Sequence, residues 1–182
     1  MTFEKTVTLK DGRNCLLRNG VTSDGKAVLD VFNRTHEETD YLLTYSDENC
    51  FTASQEADFL QRKTDSTNTV EIIAVVDGVV AGTAGIDALG MRDKIKHRAF
   101  FGIAITKEFW GLGIGKYLME ACIECAREAG YLQLELEVVA ENERAVEMYR
   151  RAGFIEYGRN PKAFRLRTGE YQELIDMRLE LK

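Results

Sequence analysis

The sequence predicts an α/β (α+β) fold: a mixed, mostly antiparallel sheet with a central parallel βαβ unit, flanked by helices, in one domain over residues 1–182. Three observations carry this. Two strand pairs meet at Asp-Gly turns; a later stretch runs strand, glycine turn, long helix, strand; and no linker-like segment offers a place to divide the chain. A length of 182 residues suffices for one sizeable core and is short for two.

Val7 to Lys10, the turn Asp11-Gly12 and Asn14 to Arg18 form the first predicted hairpin. A helix from about Ser23 to Glu38 follows, with Ala27, Val28, Val31 and Phe32 at helical spacing. After a mixed loop over 39–49 comes a second helix from about Thr52 to Arg62, with Ala57, Phe59 and Leu60 inward. Thr69 to Val76, Asp77-Gly78 and Val79 to Ala88 form a longer hairpin whose arms are rich in β-branched residues. The βαβ unit comprises a strand from Ala99 to Ile105, a glycine turn, a helix from Gly113 to Ala129 and a strand from Leu132 to Val139, so its strands should be parallel neighbours. A helix over Asn142 to Ala152 and strands at about Phe154 to Arg159 and Leu174 to Leu181 complete the chain.

With 45% hydrophobic and 30% charged residues and a single proline, Pro161, the composition is that of an ordinary globular protein rather than a disordered or fibrous one. The start Met1-Thr-Phe-Glu-Lys-Thr has no basic segment followed by an apolar one, and no apolar run approaches the roughly 18 residues of a spanning helix. A cytoplasmic protein without a membrane partner is the expectation. A net charge of −6 argues against a partner tracked through its phosphates, such as nucleic acid, and favours a small or cationic one. Cys122 and Cys125 form a C-x-x-C two turns into a helix, on the stripe of Ile114, Leu118, Ala121 and Ala129. A redox pair would stand at a helix N-terminus, and zinc would need further ligands, so core packing is expected and no metal.

Chemistry concentrates in Ile103-Ala-Ile-Thr-Lys-Glu-Phe-Trp-Gly-Leu-Gly-Ile-Gly-Lys116. Gly111, Gly113 and Gly115 lie between a strand and a helix N-terminus, where backbone N–H groups and about half a positive charge suit a phosphate. A P-loop, G-x-x-x-x-G-K-[ST], would need glycine at Trp110 and Ser or Thr at Tyr117. A dinucleotide fingerprint starting at Gly111 would need glycine at Lys116 and a tighter strand-to-glycine turn than Thr106 to Trp110 allows. Glu135 and Glu137 stand near the distance of a ribose-binding acid, which keeps a dinucleotide-dependent oxidoreductase as an alternative.

The loop also resembles the coenzyme A loop of the GNAT family of N-acetyltransferases, Gln/Arg-x-x-Gly-x-Gly/Ala after an apolar strand, with Trp110 in place of the first polar residue. Downstream, Asn142-Glu-Arg-Ala145-Val-Glu-Met-Tyr149-Arg-Arg-Ala-Gly153-Phe154 is similar to that family's Asn-x-x-Ala-φ-x-x-Tyr-x-x-x-Gly-Phe at matching spacing. The resemblance covers Ala99 to Phe154 and is looser through the N-terminal hairpins and Glu37 to Tyr41.

The resemblance implies the GNAT (acyl-CoA N-acyltransferase) fold, with the sheet splayed between the strand ending at Ile105 and the one starting at Leu132. Acetyl-CoA would be the co-substrate: backbone of Ile103, Ala104 and Ile105 would hold its pantetheine and thioester carbonyl, and Gly111, Leu112, Gly113, Ile114, Gly115 and Lys116 its pyrophosphate. Asn142 would touch the coenzyme while capping its helix, and the Tyr149 hydroxyl would protonate the departing thiolate; taken alone, Tyr149 reads as a core tyrosine with a satisfied hydroxyl. Glu137, five residues before Asn142, resembles the general base of the family's ribosomal-protein acetyltransferases, with Glu71 and Glu135 as competitors.

The expected acceptor is a small-molecule or peptide amine, attacked directly in a ternary complex. Glu37, Glu38, Asp40, Asp47 and Glu48 around Tyr41 and Tyr45 could draw a cationic amine, or form a solvated acidic loop. His36 and His97 are expected at the surface. A homodimer and a non-catalytic coenzyme A binder stay open.

Overall fold

The computed structural model describes residues 1–181. Eight strands form one sheet in the order β1-β2-β3-β4-β5-β6-β8-β7. Its pairs are antiparallel except β5 (Arg98–Ile105) with β6 (Gln133–Val139), which run parallel.

The Asp77-Gly78 turn forms as expected. Both residues take positive φ, 50° and 80°, as a two-residue type I′ turn requires, and join β3 (Val70–Val76) to β4 (Val79–Ala88). At the first turn only Gly12 has positive φ, 88°, and Leu9 donates to the Arg13 carbonyl across a five-residue loop. The longer loop moves β1 back to Glu4–Thr8 from the expected Val7 to Lys10, while β2 (Asn14–Asn19) lies where predicted.

Helices α1 (Gly25–Glu38) and α2 (Ala53–Asp65) lie on the front of the sheet, and α3 (Ile114–Glu128) on the back with α4 (Glu143–Arg151). Thr52 caps α2 by accepting from the Gln55 N–H. The inward stripe of α2 differs from expectation, because Glu56 and Lys63 are buried beside Ala57 and Leu60. Lys63 lies in the core because its Nζ donates to the Ile86 carbonyl (3.2 Å) and pairs with Asp87 (2.6 Å).

The main core fills the back, where Ile72, Ala84, Ile86, Phe101 and Leu134 meet Leu118, Cys122 and Cys125. Burial pushes the Cys125 thiol up to about 12 and that of Cys122 well above its usual range, so both pack as small apolar groups. The last strands, β7 (Ile155–Arg165) and β8 (Tyr171–Glu180), are longer than expected. Register shifts at Glu156/Gly158 and Asn160/Phe164 let edge strand β7 continue through Pro161.

Candidate active site

β5 and β6 pair over only three positions: Arg98 with Gln133, Ala99 with Leu134 and Phe100 with Glu135. Beyond them no β6 partner faces residues 101–105, although β4 pairs with β5 to its end and β8 with β6. A wedge therefore opens in mid-sheet toward the C-terminal end of β5. Its apex is pinned by Arg98, which donates two hydrogen bonds to the buried Glu135 carboxylate (2.5 and 2.7 Å), with the Tyr157 hydroxyl at 3.3 Å. The Arg98 guanidinium holds Glu135 below the usual carboxylate range, which makes Glu135 a poor base.

The glycine turn stands at the mouth of this wedge. Gly111 and Gly113 take φ of 87° and 97°, a left-handed conformation that favours glycine, and Gly113 is the N-cap of α3. Gly115 is small for another reason: a Cβ there would fall 3.2 Å from Met148 Sδ and 3.4 Å from Ile105 Cδ1. Its size lets α3, α4 and β5 close at the base of the loop. From the first hairpin, the Lys10 N–H donates to the Leu112 carbonyl (3.2 Å) and the Lys10 side chain reaches Gly113. Lys116 is exposed, 3.7 Å from Glu120. Trp110 donates its indole N–H to the Ile105 carbonyl at 2.7 Å, so that carbonyl already has a partner, whereas Ile103 and Ala104 lie in the unpaired part of the wedge.

Asn142 caps α4 through its side-chain oxygen, which accepts from the Ala145 N–H at 3.3 Å, and Gly153 ends the helix at φ 96°. One face inward, Tyr149 is buried, its ring edge-on to Phe101 (6.2 Å between centroids) and tilted against Phe154 (5.8 Å). Phe101 is the first β5 residue past the last β6 rung, so Tyr149 lies under the apex on the back of the sheet. Burial raises the phenol well above its usual range, and its hydroxyl makes no hydrogen bond with another described residue. That departs from the satisfied hydroxyl of a core tyrosine.

Two carboxylates on the front face of the sheet strands have raised pKa. Glu137 is exposed, two residues past the last rung, and faces Asp176 across β8; partial burial and the Asp176 charge push it up. Glu71 lies three strands away, where a Cβ at Gly85 would overlap its carboxylate. Gly85 in turn pairs with Gly102, which is exposed over open space. In this row two glycines, one on β4 and one on β5, lie between Glu71 and the wedge. Burial raises Glu71 to about 7, against the pull of Lys63 and Thr83.

The acidic loop is largely paired. Arg167 holds Asp47 (2.7 and 3.0 Å) and lies over the Tyr45 ring; Glu38 pairs with Arg34 (3.0 Å) and accepts the Lys107 N–H; Glu48 accepts the Tyr45 N–H. Glu37, Asp40 and Glu48 have no paired cation among the described residues. The histidines depart from expectation. His36 is half-buried, stacked on Phe32 at 3.8 Å with Nδ1 2.6 Å from the Phe32 carbonyl, and burial lowers its pKa. His97 is half-buried, its carbonyl accepting from Leu132 and Gln133.

Sequence reasoning missed Lys10 and Arg144 at the loop. Lys10 arrives from a hairpin 101 positions before Gly111, which no local spacing signals. Arg144 lies inside the Asn142 motif, at a position the motif leaves open to any residue.

An acetyltransferase (GNAT) family model matches residues 28–154. The L-amino acid N-acetyltransferase AaaT of Escherichia coli (strain K12) is 32% identical over 118 residues, 64% of this chain and 72% of that protein. An acetyltransferase of the GNAT family from Streptococcus pneumoniae superposes with a TM-score of 0.87 at 28% identity, over 91% of this chain and 99% of that one. A phosphinothricin acetyltransferase from Sinorhizobium meliloti, in complex with acetyl-CoA, shares the fold with a TM-score of 0.80 at 18% identity, over 96% and 89% of the two chains.

Proposed function

The chain belongs to the acetyltransferase (GNAT) family, and from that premise we propose that it transfers the acetyl group of acetyl-CoA to a primary amine, in the cytoplasm, by direct attack in a ternary complex. The observation that carries the reading is the mid-sheet wedge: a strand edge left unpaired after three rungs, with Gly111 and Gly113 at its mouth. Unpaired main-chain groups around Ile103 and Ala104 suit a pantetheine amide and a thioester carbonyl, and the α3 N-terminus suits a pyrophosphate. The described residues fit the coenzyme on those counts.

When bound, acetyl-CoA supplies a thioester whose carbonyl carbon a neutral amine can attack. Glu137 takes the amine proton on the front of the sheet, where its raised pKa makes it a better acceptor than an ordinary carboxylate. Tyr149, on the back and beneath the apex, stays protonated at any working pH and donates to the departing sulfur. Base and acid on opposite faces let amine and coenzyme enter from opposite sides. Glu71, across the Gly85–Gly102 floor, is the second carboxylate the front offers to an ammonium group.

The relative named for L-amino acids puts those amines first in an acceptor panel, followed by peptide N-termini, polyamines and amino sugars. The panel is read by thiol release from acetyl-CoA. Amine-dependent release is the expected result. Saturable acetyl-CoA binding with no release for any amine would leave a non-catalytic binder, and NADH binding with indifference to coenzyme A would leave an oxidoreductase.

A further inference from the structure

Trp110 occupies the place where the family's loop has Gln or Arg, and the geometry around it suggests where the lost polar contact went. The indole N–H is committed to the Ile105 carbonyl, so the ring is fixed at the lip of the wedge and has no donor left for a ligand. Arg144, from the first turn of α4 on the opposite lip, lays its guanidinium over this ring, 6.0 Å from the centroid. Its Nη2 stands 3.8 Å from the position a Cβ at Gly111 would take. Arg144 has no carboxylate within 4.0 Å among the described residues, whereas Arg150 and Arg151 of the same helix are paired with Glu156 and Glu147.

An unpaired arginine held by an aromatic face against a left-handed glycine, in a chain of net charge −6, is arranged for an anion. We propose that Arg144 is the side-chain ligand of the coenzyme's pyrophosphate and that Trp110 is the platform that presents it. The contact is supplied from across the wedge rather than from within the glycine loop. A guanidinium offers two parallel N–H donors to a phosphate, which the single amide of a glutamine does not. This rests on the acetyl-CoA reading and refines it.

Calorimetric titration with acetyl-CoA and 3′-dephospho-acetyl-CoA tests the assignment on the unaltered protein, Arg144→Gln, Trp110→Leu and the double variant. Both side chains are exposed, and circular dichroism checks that each variant folds. Arg144→Gln should raise Kd about tenfold or more for both ligands, since a charge-assisted contact to the pyrophosphate is common to both. In the Trp110→Leu background the same change should cost less than threefold, because the arginine is no longer held. Unchanged affinity in Arg144→Gln overturns the proposal. A loss seen with acetyl-CoA and not with the dephospho form overturns the pyrophosphate assignment, and full additivity of the two substitutions overturns the platform. Failure of the unaltered protein to bind acetyl-CoA would be a different result, one that sinks the acetyltransferase reading itself.

Discussion

Replacing Glu71 by glutamine should make the protein more stable, and only at neutral and alkaline pH. Burial raises the folded-state pKa of Glu71 from the ordinary 4.5 to about 7, with Lys63 and Thr83 pulling it down and Asp87 and Glu56 pushing it up. Below pH 4.5 the group is protonated in both folded and unfolded chains and costs nothing. Between 4.5 and 7 the unfolded chain ionises first, and stability falls as pH rises. Above 7 the loss is complete. At about 1.4 kcal/mol per pH unit the ceiling is roughly 3 kcal/mol, and the half-buried position together with the lost attraction to Lys63 brings the expected gain to about 2 kcal/mol. Urea unfolding of Glu71→Gln and the unaltered protein at pH 8 and pH 4.5 measures it. A gain near 2 kcal/mol at pH 8 that disappears at pH 4.5 is expected. Equal stability at pH 8, or an equal gain at both, would refute the reasoning.

Tyr149→Phe should lower kcat by about 10²-fold or more while moving the unfolding free energy by less than about 1 kcal/mol, since the hydroxyl has no hydrogen bond to another described residue to lose. Unchanged turnover in the amine assay would remove the proposed acid. Arg98→Met leaves the Glu135 carboxylate buried without its cation and should cost about 3 kcal/mol at pH 7, shrinking as Glu135 protonates in acid. Adding Glu135→Gln should recover much of that loss; a further loss instead would show that the pair's charge is not what matters. Of four thiols, Cys50 alone should react quickly with iodoacetamide in the folded protein, because Cys15, Cys122 and Cys125 are buried with thiols pushed up. Mass spectrometry showing early labelling at Cys122 would contradict that packing.

Most of the framework was legible from local chemistry. Asp77-Gly78 specified its turn because both residues could adopt positive φ; Asp11-Gly12 misled because only its glycine did. Alternation along β6 correctly put Gln133, Glu135 and Glu137 on one face. It could not separate Glu135 from Glu137, because the difference is made by Arg98 on a neighbouring strand 37 residues away. Lys63 shows the same limit: its spacing on α2 is readable, but its burial depends on the Ile86 carbonyl and Asp87. In the glycine loop Gly111 and Gly113 take the positive φ that their residue type allows, while Gly115 is small for its contact with Met148. The loop's cations, Lys10 and Arg144, come from a distant hairpin and a facing helix, and only folding brings them together.

The three-rung ladder also bears on mechanics. Five strands, β1 to β5, and three, β6, β8 and β7, make two plates riveted at one end of a single seam. Along the rest of that seam cohesion depends on helix packing beneath and on whatever bridges the gap. A ligand lying in the seam would act as mortar, so affinity and rigidity should rise and fall together. At a concentration one hundred times Kd it would add about 2.7 kcal/mol to the stability of the whole molecule. Loosening would then begin at the open end, between the glycine turn and α4, where amide exchange should slow most when the ligand is present.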